Sequence, residues 1–179
     1  TLERSWADRA VASCERALQL NQGSPEVQVT LGNIHKATGR YADAIGDFEQ
    51  ALKRRQDNPD ALLGLAEAYE SAGKLTESEQ AYRQAIALRP SFWGGYNKLG
   101  VFYYNQGQYA PAVEMWRRVT ELTPDNTRGY YNLGAAYFRI GRFDDAIAAY
   151  HRSITIQPNA AAYSNLGTVH FYIGKYQEA

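Results

Sequence analysis

Residues 127–150 read TRGYYNLGAAYFRIGRFDDAIAAY, and the order of large and small side chains in this stretch decides the fold. Tyr130, Leu133, Gly134 and Tyr137 stand at i, i+3, i+4 and i+7, one apolar stripe on a helix. Gly141 interrupts the pattern where a left-handed residue closes a helix, and Arg142 beside it suits the negative end of the helix dipole. A second stripe follows in Ala146, Tyr150 and Ser153, with Asp144 and Asp145 in the first turn, the charge a helix N-terminus prefers. The stretch is therefore a helix, a tight turn and a second helix.

The same string recurs outward from it as Leu31-Gly32, Leu65-Ala66, Leu99-Gly100, Leu133-Gly134 and Leu166-Gly167, at spacings of 34, 34, 34 and 33 residues. A fixed period of this length marks a solenoid, in which each unit buries its apolar face on its neighbours. With the Leu-Gly pair at the seventh and eighth positions, the units span 25–58, 59–92, 93–126 and 127–159, flanked by partial units at 1–24 and 160–179. Gly39, Gly73, Gly107 and Gly174 occupy the place of Gly141, and the chain restarts at Tyr41, Leu75, Tyr109, Phe143 and Tyr176. Arg40, Lys74 and Lys175 repeat the basic neighbour, and Asp43, Glu77 and Glu178 repeat the acidic first turn. The second helices carry Ala44, Phe48 and Ala51, then Ser78, Tyr82 and Ala85, then Ala112, Trp116 and Val119, small residues that admit close approach around an aromatic that fills the space. Ser24 and Asn58 read as N-caps, with Pro25 and Pro59 at the first helical position. No stretch reads as a strand, so the expected class is all-α, a solenoid of antiparallel helix hairpins.

These residues resemble the tetratricopeptide repeat. Its pattern of large residue, Leu-Gly, Tyr, Ala, aromatic, Ala and Pro is met by Tyr130, Leu133, Gly134, Tyr137, Ala146, Tyr150 and Pro158, with Ser153 in place of the last Ala. Four whole units match. His35 and His170 replace the usual Tyr, Gln56 replaces the closing Pro, and Gly94-Gly95 weakens one helix start by ~1 kcal/mol per Gly. Residues Ala7 to Leu20 resemble an isolated second helix, and Gln177-Glu178-Ala179 stand where another should begin, so the expectation is a piece of a longer protein whose open ends self-associate.

Composition narrows the function. Nineteen Lys and Arg offset nineteen Asp and Glu, leaving no net field to draw the chain onto nucleic acid or anionic lipid. Lys53-Arg54-Arg55 reads as a solvated helix end rather than an RNA-binding patch. The single cysteine, Cys14, excludes an internal disulfide and falls on a packing face, where it reads as a buried apolar thiol. No apolar run nears the ~20 residues of a bilayer span, and no signal-peptide pattern opens the chain, which points to a cytoplasmic protein. There is no Walker loop, dinucleotide fingerprint, His-Glu-x-x-His or Gly-x-Ser-x-Gly. His35 and His170 occupy equivalent packing positions far apart in the array and His151 lies on a second helix, so the three form no metal set and neither catalysis, metal nor cofactor is expected.

What remains is a surface. The resemblance implies a right-handed superhelix whose first helices line a concave groove, along which partner peptides lie. On that analogy the first half of the groove carries Glu26, Asp60, Glu67 and Glu70, and would also show Val29 and Leu63. The second half carries Asn97, Tyr104, Tyr131, Phe138, Phe171 and Tyr172, with Arg128 and Arg139 beside them. Aromatic residues in such a groove are plausible anchors, although each also has a bland use in covering the next repeat. The chaperone-tail clamp of the family is not supplied by Val29, Gly64, Lys98 and Ala161. The peptide-binding arrays of O-GlcNAc transferases are similar in carrying Asn before Leu-Gly, as Asn132 and Asn165 do, though Thr30, Gly64 and Lys98 break that ladder. The expected function is a non-catalytic scaffold that binds a protein or peptide. The rival is a substrate-recruiting arm of an attached glycosyltransferase or signalling kinase.

Overall fold

In the computed structural model, which describes residues 2–21 and 23–178 and the side chains of 6–21 and 23–174, the described residues are helical and contain no strand. They form two compact units, Thr1–Pro90 and Ser91–Ala179. The first holds α1 (Leu2–Leu20), α2 (Pro25–Ala37), α3 (Tyr41–Arg54), α4 (Pro59–Ser71) and α5 (Leu75–Leu88). The second holds α6 (Trp93–Asn105), α7 (Tyr109–Leu122), α8 (Thr127–Arg139), α9 (Phe143–Ile156) and α10 (Ala160–Glu178). Within each unit every helix packs on the next, as the helical-repeat reading requires.

The turns are made by the glycines. Gly73 adopts φ +75°, its N–H bonds Glu70 O at 3.0 Å and the Lys74 N–H bonds Tyr69 O at 2.9 Å, which returns two orphan carbonyls of α4 to hydrogen bonds. Gly39, Gly107 and Gly141 take the same left-handed conformation. Gly174 does not: α10 runs through it to Glu178. The expected reversal before Tyr176 is therefore absent. At the other turns the second helix is held by its own buried stripe, and among the described residues no such helix packs behind Gly174, so intrahelical bonding continues. The side chains of Lys175, Tyr176 and Glu178 lie outside the described residues.

The basic residues beside these glycines also bind forward: the Nε atoms of Arg40 and Arg142 donate to Asp43 and Asp145, each at 2.7 Å, across the first turn of the following helix. Lys74 and Arg142 also lie over the rings of Tyr69 and Tyr137, so their stems cover the aromatic that precedes the turn.

Close approach explains the Leu-Gly pair. A Cβ on Gly100 would lie 2.8 Å from Trp116 Nε1, and one on Gly134 would lie 2.9 Å from the Tyr150 ring. Phe48 fills a slot between two glycines, since a Cβ on Gly32 would stand 2.9 Å from its ring and one on Gly64 would overlap it. These aromatic residues are almost fully buried, as are their small partners Ala44, Ala51, Ala85, Ala112, Val119 and Ala146. Where serine replaces alanine in the stripe, the hydroxyl is satisfied: Ser78 donates to Ala66 O at 2.8 Å and Ser153 to Thr127 O at 3.1 Å. Ser24 and Asn58 cap α2 and α4 through Val27, Asp60 and Ala61, as their sequence positions suggest. Asn126 and Asn159 cap in the same way through Gly129 and Ala162. Cys14 is half-buried rather than buried.

Candidate functional site

In the second unit the first helices of three successive repeats, α6, α8 and α10, bring the sequence-marked residues together. Tyr104 on α6 meets Tyr109 and Trp116 at ring separations of 5.1 and 5.7 Å. On α8, Tyr131 meets Tyr150 at 5.9 Å, while Phe138 meets Phe143 at 5.9 Å and Tyr172 of α10 at 5.2 Å. Tyr104, Tyr131 and Phe138 are half-buried, so each ring packs with one part and presents another. Phe171 and Tyr172 are exposed. A cleft of about 190 Å³ opens among Tyr104, Phe138, Arg139, Tyr150, Asn165 and Thr168.

The asparagines belong to a hydrogen-bond relay that spacing alone does not reveal. Trp116 Nε1–H donates to Asn97 Oδ1 at 3.2 Å, and Asn132 Nδ2 donates to the same oxygen at 3.4 Å. An indole only donates, so it fixes the orientation of the Asn97 amide, which in turn requires Asn132 to offer its NH₂ group. Asn165 Nδ2 donates to the hydroxyls of Tyr131 and Tyr150 at 3.1 and 3.3 Å. These bonds leave Asn97 Nδ2 and the oxygens of Asn132 and Asn165 available to a ligand among the described residues. Burial pushes the Tyr150 phenol well above its usual range, with Asn165 opposing, and burial also raises that of Tyr104. Both are protonated donors at neutral pH.

Charge is distributed unevenly along this face. Arg139 donates to Tyr109 Oη at 2.7 Å, with its guanidinium 4.9 Å above the ring, so a neutral phenol and not a carboxylate holds it in place. Arg128 is exposed and makes no ion pair among the described residues. Arg117, Arg118 and Arg142 of the same unit each pair with a carboxylate three residues away.

The acidic residues expected to line the groove lie in the first unit, and the fold already engages them. Glu67 pairs with Lys36, and Glu70 accepts from the Tyr82 hydroxyl at 3.1 Å. Glu26 and Asp60 meet Arg55 at 3.0 Å and Arg89 at 3.3 Å. Leu63 is buried, and Val29 packs against the Phe48 core, so neither lines an open groove. His35 is buried with Nδ1 2.6 Å from Asp47 Oδ2 and with Nε2 lacking a partner, whereas His170 on α10 is exposed despite its equivalent place in the repeat. Among the described residues, no group of three or more His, Cys, Asp and Glu is placed to hold a metal, and no helix is long and apolar enough to cross a membrane.

Thr168, one turn beyond Asn165, is a groove position that the repeat register marks, and it lines the cleft. Tyr109 is the part of this face that sequence reasoning missed, because it opens the second helix of the preceding repeat and meets Arg139 only across helices.

Comparison with known proteins agrees with this architecture. Models of the tetratricopeptide repeat match residues 29–91 and 127–159, and a further model described as a TPR repeat matches 102–141. No curated protein matches the sequence. Among solved structures, MamA superimposes with a TM-score of 0.77 at 22% identity, over 87% of this chain and 91% of that one. MamA 41-end from Desulfovibrio magneticus RS-1 gives 0.76 at 17% identity, over 87% and 88% of the two chains. YrrB, described as a TPR protein with an unusual peptide-binding site, gives 0.72 at 22% identity over 91% and 84%. At these identities the likeness is one of fold.

Proposed function

The chain belongs to the tetratricopeptide repeat family, and from that premise we propose that it is a non-catalytic interaction scaffold that binds an extended peptide segment of a partner protein along the α6, α8 and α10 face. The observation that carries this reading is the pairing of half-exposed rings with unspent amide groups on one face. Tyr104, Tyr131 and Phe138 offer apolar contact, while Asn97 Nδ2 and Asn132 Oδ1 offer a donor and an acceptor suited to a peptide group. YrrB, of the same fold, is described as having a peptide-binding site, which supports the assignment of the class. Glu67 and Glu70 contribute less on this reading, because Lys36 and Tyr82 already occupy them. Within a longer protein the same face would serve as the recruiting arm of an attached enzyme, with no change in its chemistry. The exposed rings of Tyr163 and Phe171 on α10 support self-association, which sedimentation at two concentrations tests.

The test is a folded double variant, Tyr131→Ala with Phe138→Ala, assayed on short immobilised peptides of random sequence. Loss of a true central anchor costs about 2 kcal/mol or more, roughly thirtyfold in affinity. Retention equal to the wild type, with helical content unchanged, refutes the groove.

A further inference from the structure

The cleft under Arg139 is more selective than an aromatic groove needs to be. Its volume of about 190 Å³ is below the range of several hundred Å³ typical of small-molecule sites and admits a single side chain. The carboxylates of this unit with described side chains are Glu114, Glu121, Asp125, Asp144 and Asp145, and none of them lines it. Arg139 instead leans on the neutral Tyr109 hydroxyl, which fixes the guanidinium without cancelling its charge. Across the cleft the Tyr104 hydroxyl makes no hydrogen bond among the described residues, and Thr168 has its own proton committed to Ser164 O at 3.1 Å. A cleft with one fixed, unneutralised cation and an unspent phenolic donor is complementary to a group that is singly negative and accepts only. A dianionic phosphate fits less well. Arg128, the other arginine of α8, stands eleven residues back, on the order of 16 Å along the helix axis.

We propose that this cleft takes the carboxylate of an Asp or Glu side chain in the partner peptide, with Arg139 holding the carboxylate and the Tyr104 hydroxyl donating a further hydrogen bond. The proposal rests on the peptide-groove reading and adds to it the charge of the residue recognised. Because Arg139 is exposed, its replacement leaves the helical packing in place, so binding can be read apart from folding.

The experiment uses the whole chain on immobilised short peptides with random flanks and a fixed central residue: Glu, Gln, Lys or phosphoserine. The Glu pool is expected to retain the wild type about tenfold better than the Gln pool, a difference that shrinks as salt is raised. Arg139→Gln should abolish the difference, and Arg139→Lys should restore part of it as a point charge without the planar fork. A Glu preference that survives in Arg139→Gln, or stronger retention by the Lys or phosphoserine pool, overturns the assignment. Equal retention on all pools overturns it while leaving the groove intact; no retention on any pool overturns both.

Discussion

Gly134 and Gly167 hold the same place in successive repeats, yet alanine should act on them in opposite directions. Both lie inside helices, α8 and α10, so each Gly→Ala change gains about 1 kcal/mol of helix propensity. A Cβ at 134 stands 2.9 Å from Tyr150 Cδ1, whereas a Cβ at 167 meets nothing within 4 Å. The Tyr150 ring has little room to retreat, because it is 2% exposed and its hydroxyl accepts from Asn165. Overpacking of this kind costs about 1–3 kcal/mol. Gly167→Ala should therefore stabilise by about 1 kcal/mol, and Gly134→Ala should range from neutral to a loss of about 2 kcal/mol. The propensity gain cancels between the two variants, and the remaining gap of about 1–3 kcal/mol measures the steric conflict alone. Thermal unfolding of the whole chain should separate the two midpoints by roughly 2–12 °C, given about 2–4 °C per kcal/mol at this size. Amide exchange assigns each effect to its repeat, since solenoids open unit by unit. If Gly134→Ala melts at or above Gly167→Ala, the aromatic-on-glycine contact is not what selects glycine in the Leu-Gly pair.

Two further outcomes follow from the packing. Leu133 is buried, and Leu133→Ala should cost about 2–5 kcal/mol in denaturant unfolding, against near neutrality for the exposed Lys53→Ala. Equal losses would mean that the repeat register is wrong. Burial, and then the hydrogen bond to Glu49, pushes the Tyr69 phenol from 10.0 up to about 12. A folded value above the unfolded one gives stability that is complete below about pH 10 and is lost as pH rises through about 12. Unfolding followed across that window should steepen in the wild type relative to Tyr69→Phe, and superimposable profiles would show that the phenol is not held by its surroundings.

The helical class, the turns at Gly39, Gly73, Gly107 and Gly141 and the buried stripes were legible in the chain because each arises from spacing within a single helix. Leu133, Gly134 and Tyr137 share a face whatever stands opposite, and Gly141 closes its helix through local backbone bonds. Caps such as Asn58 are local for the same reason. Sequence erred where a neighbour decides, since Gly174 carries the turn signal but lacks a described second helix behind it, and it left unread the bond of Arg142 to Asp145 across the next helix start. The candidate site was legible only as a set of residue types. That Asn132 donates to Asn97, that Glu67 is occupied by Lys36 and that Arg139 is steadied by Tyr109 are facts about side chains 35, 31 and 30 residues apart. Periodicity places residues on a face to within a fraction of a turn, whereas a hydrogen bond or a ring contact depends on tenths of an ångström between helices, and the tertiary packing sets that distance.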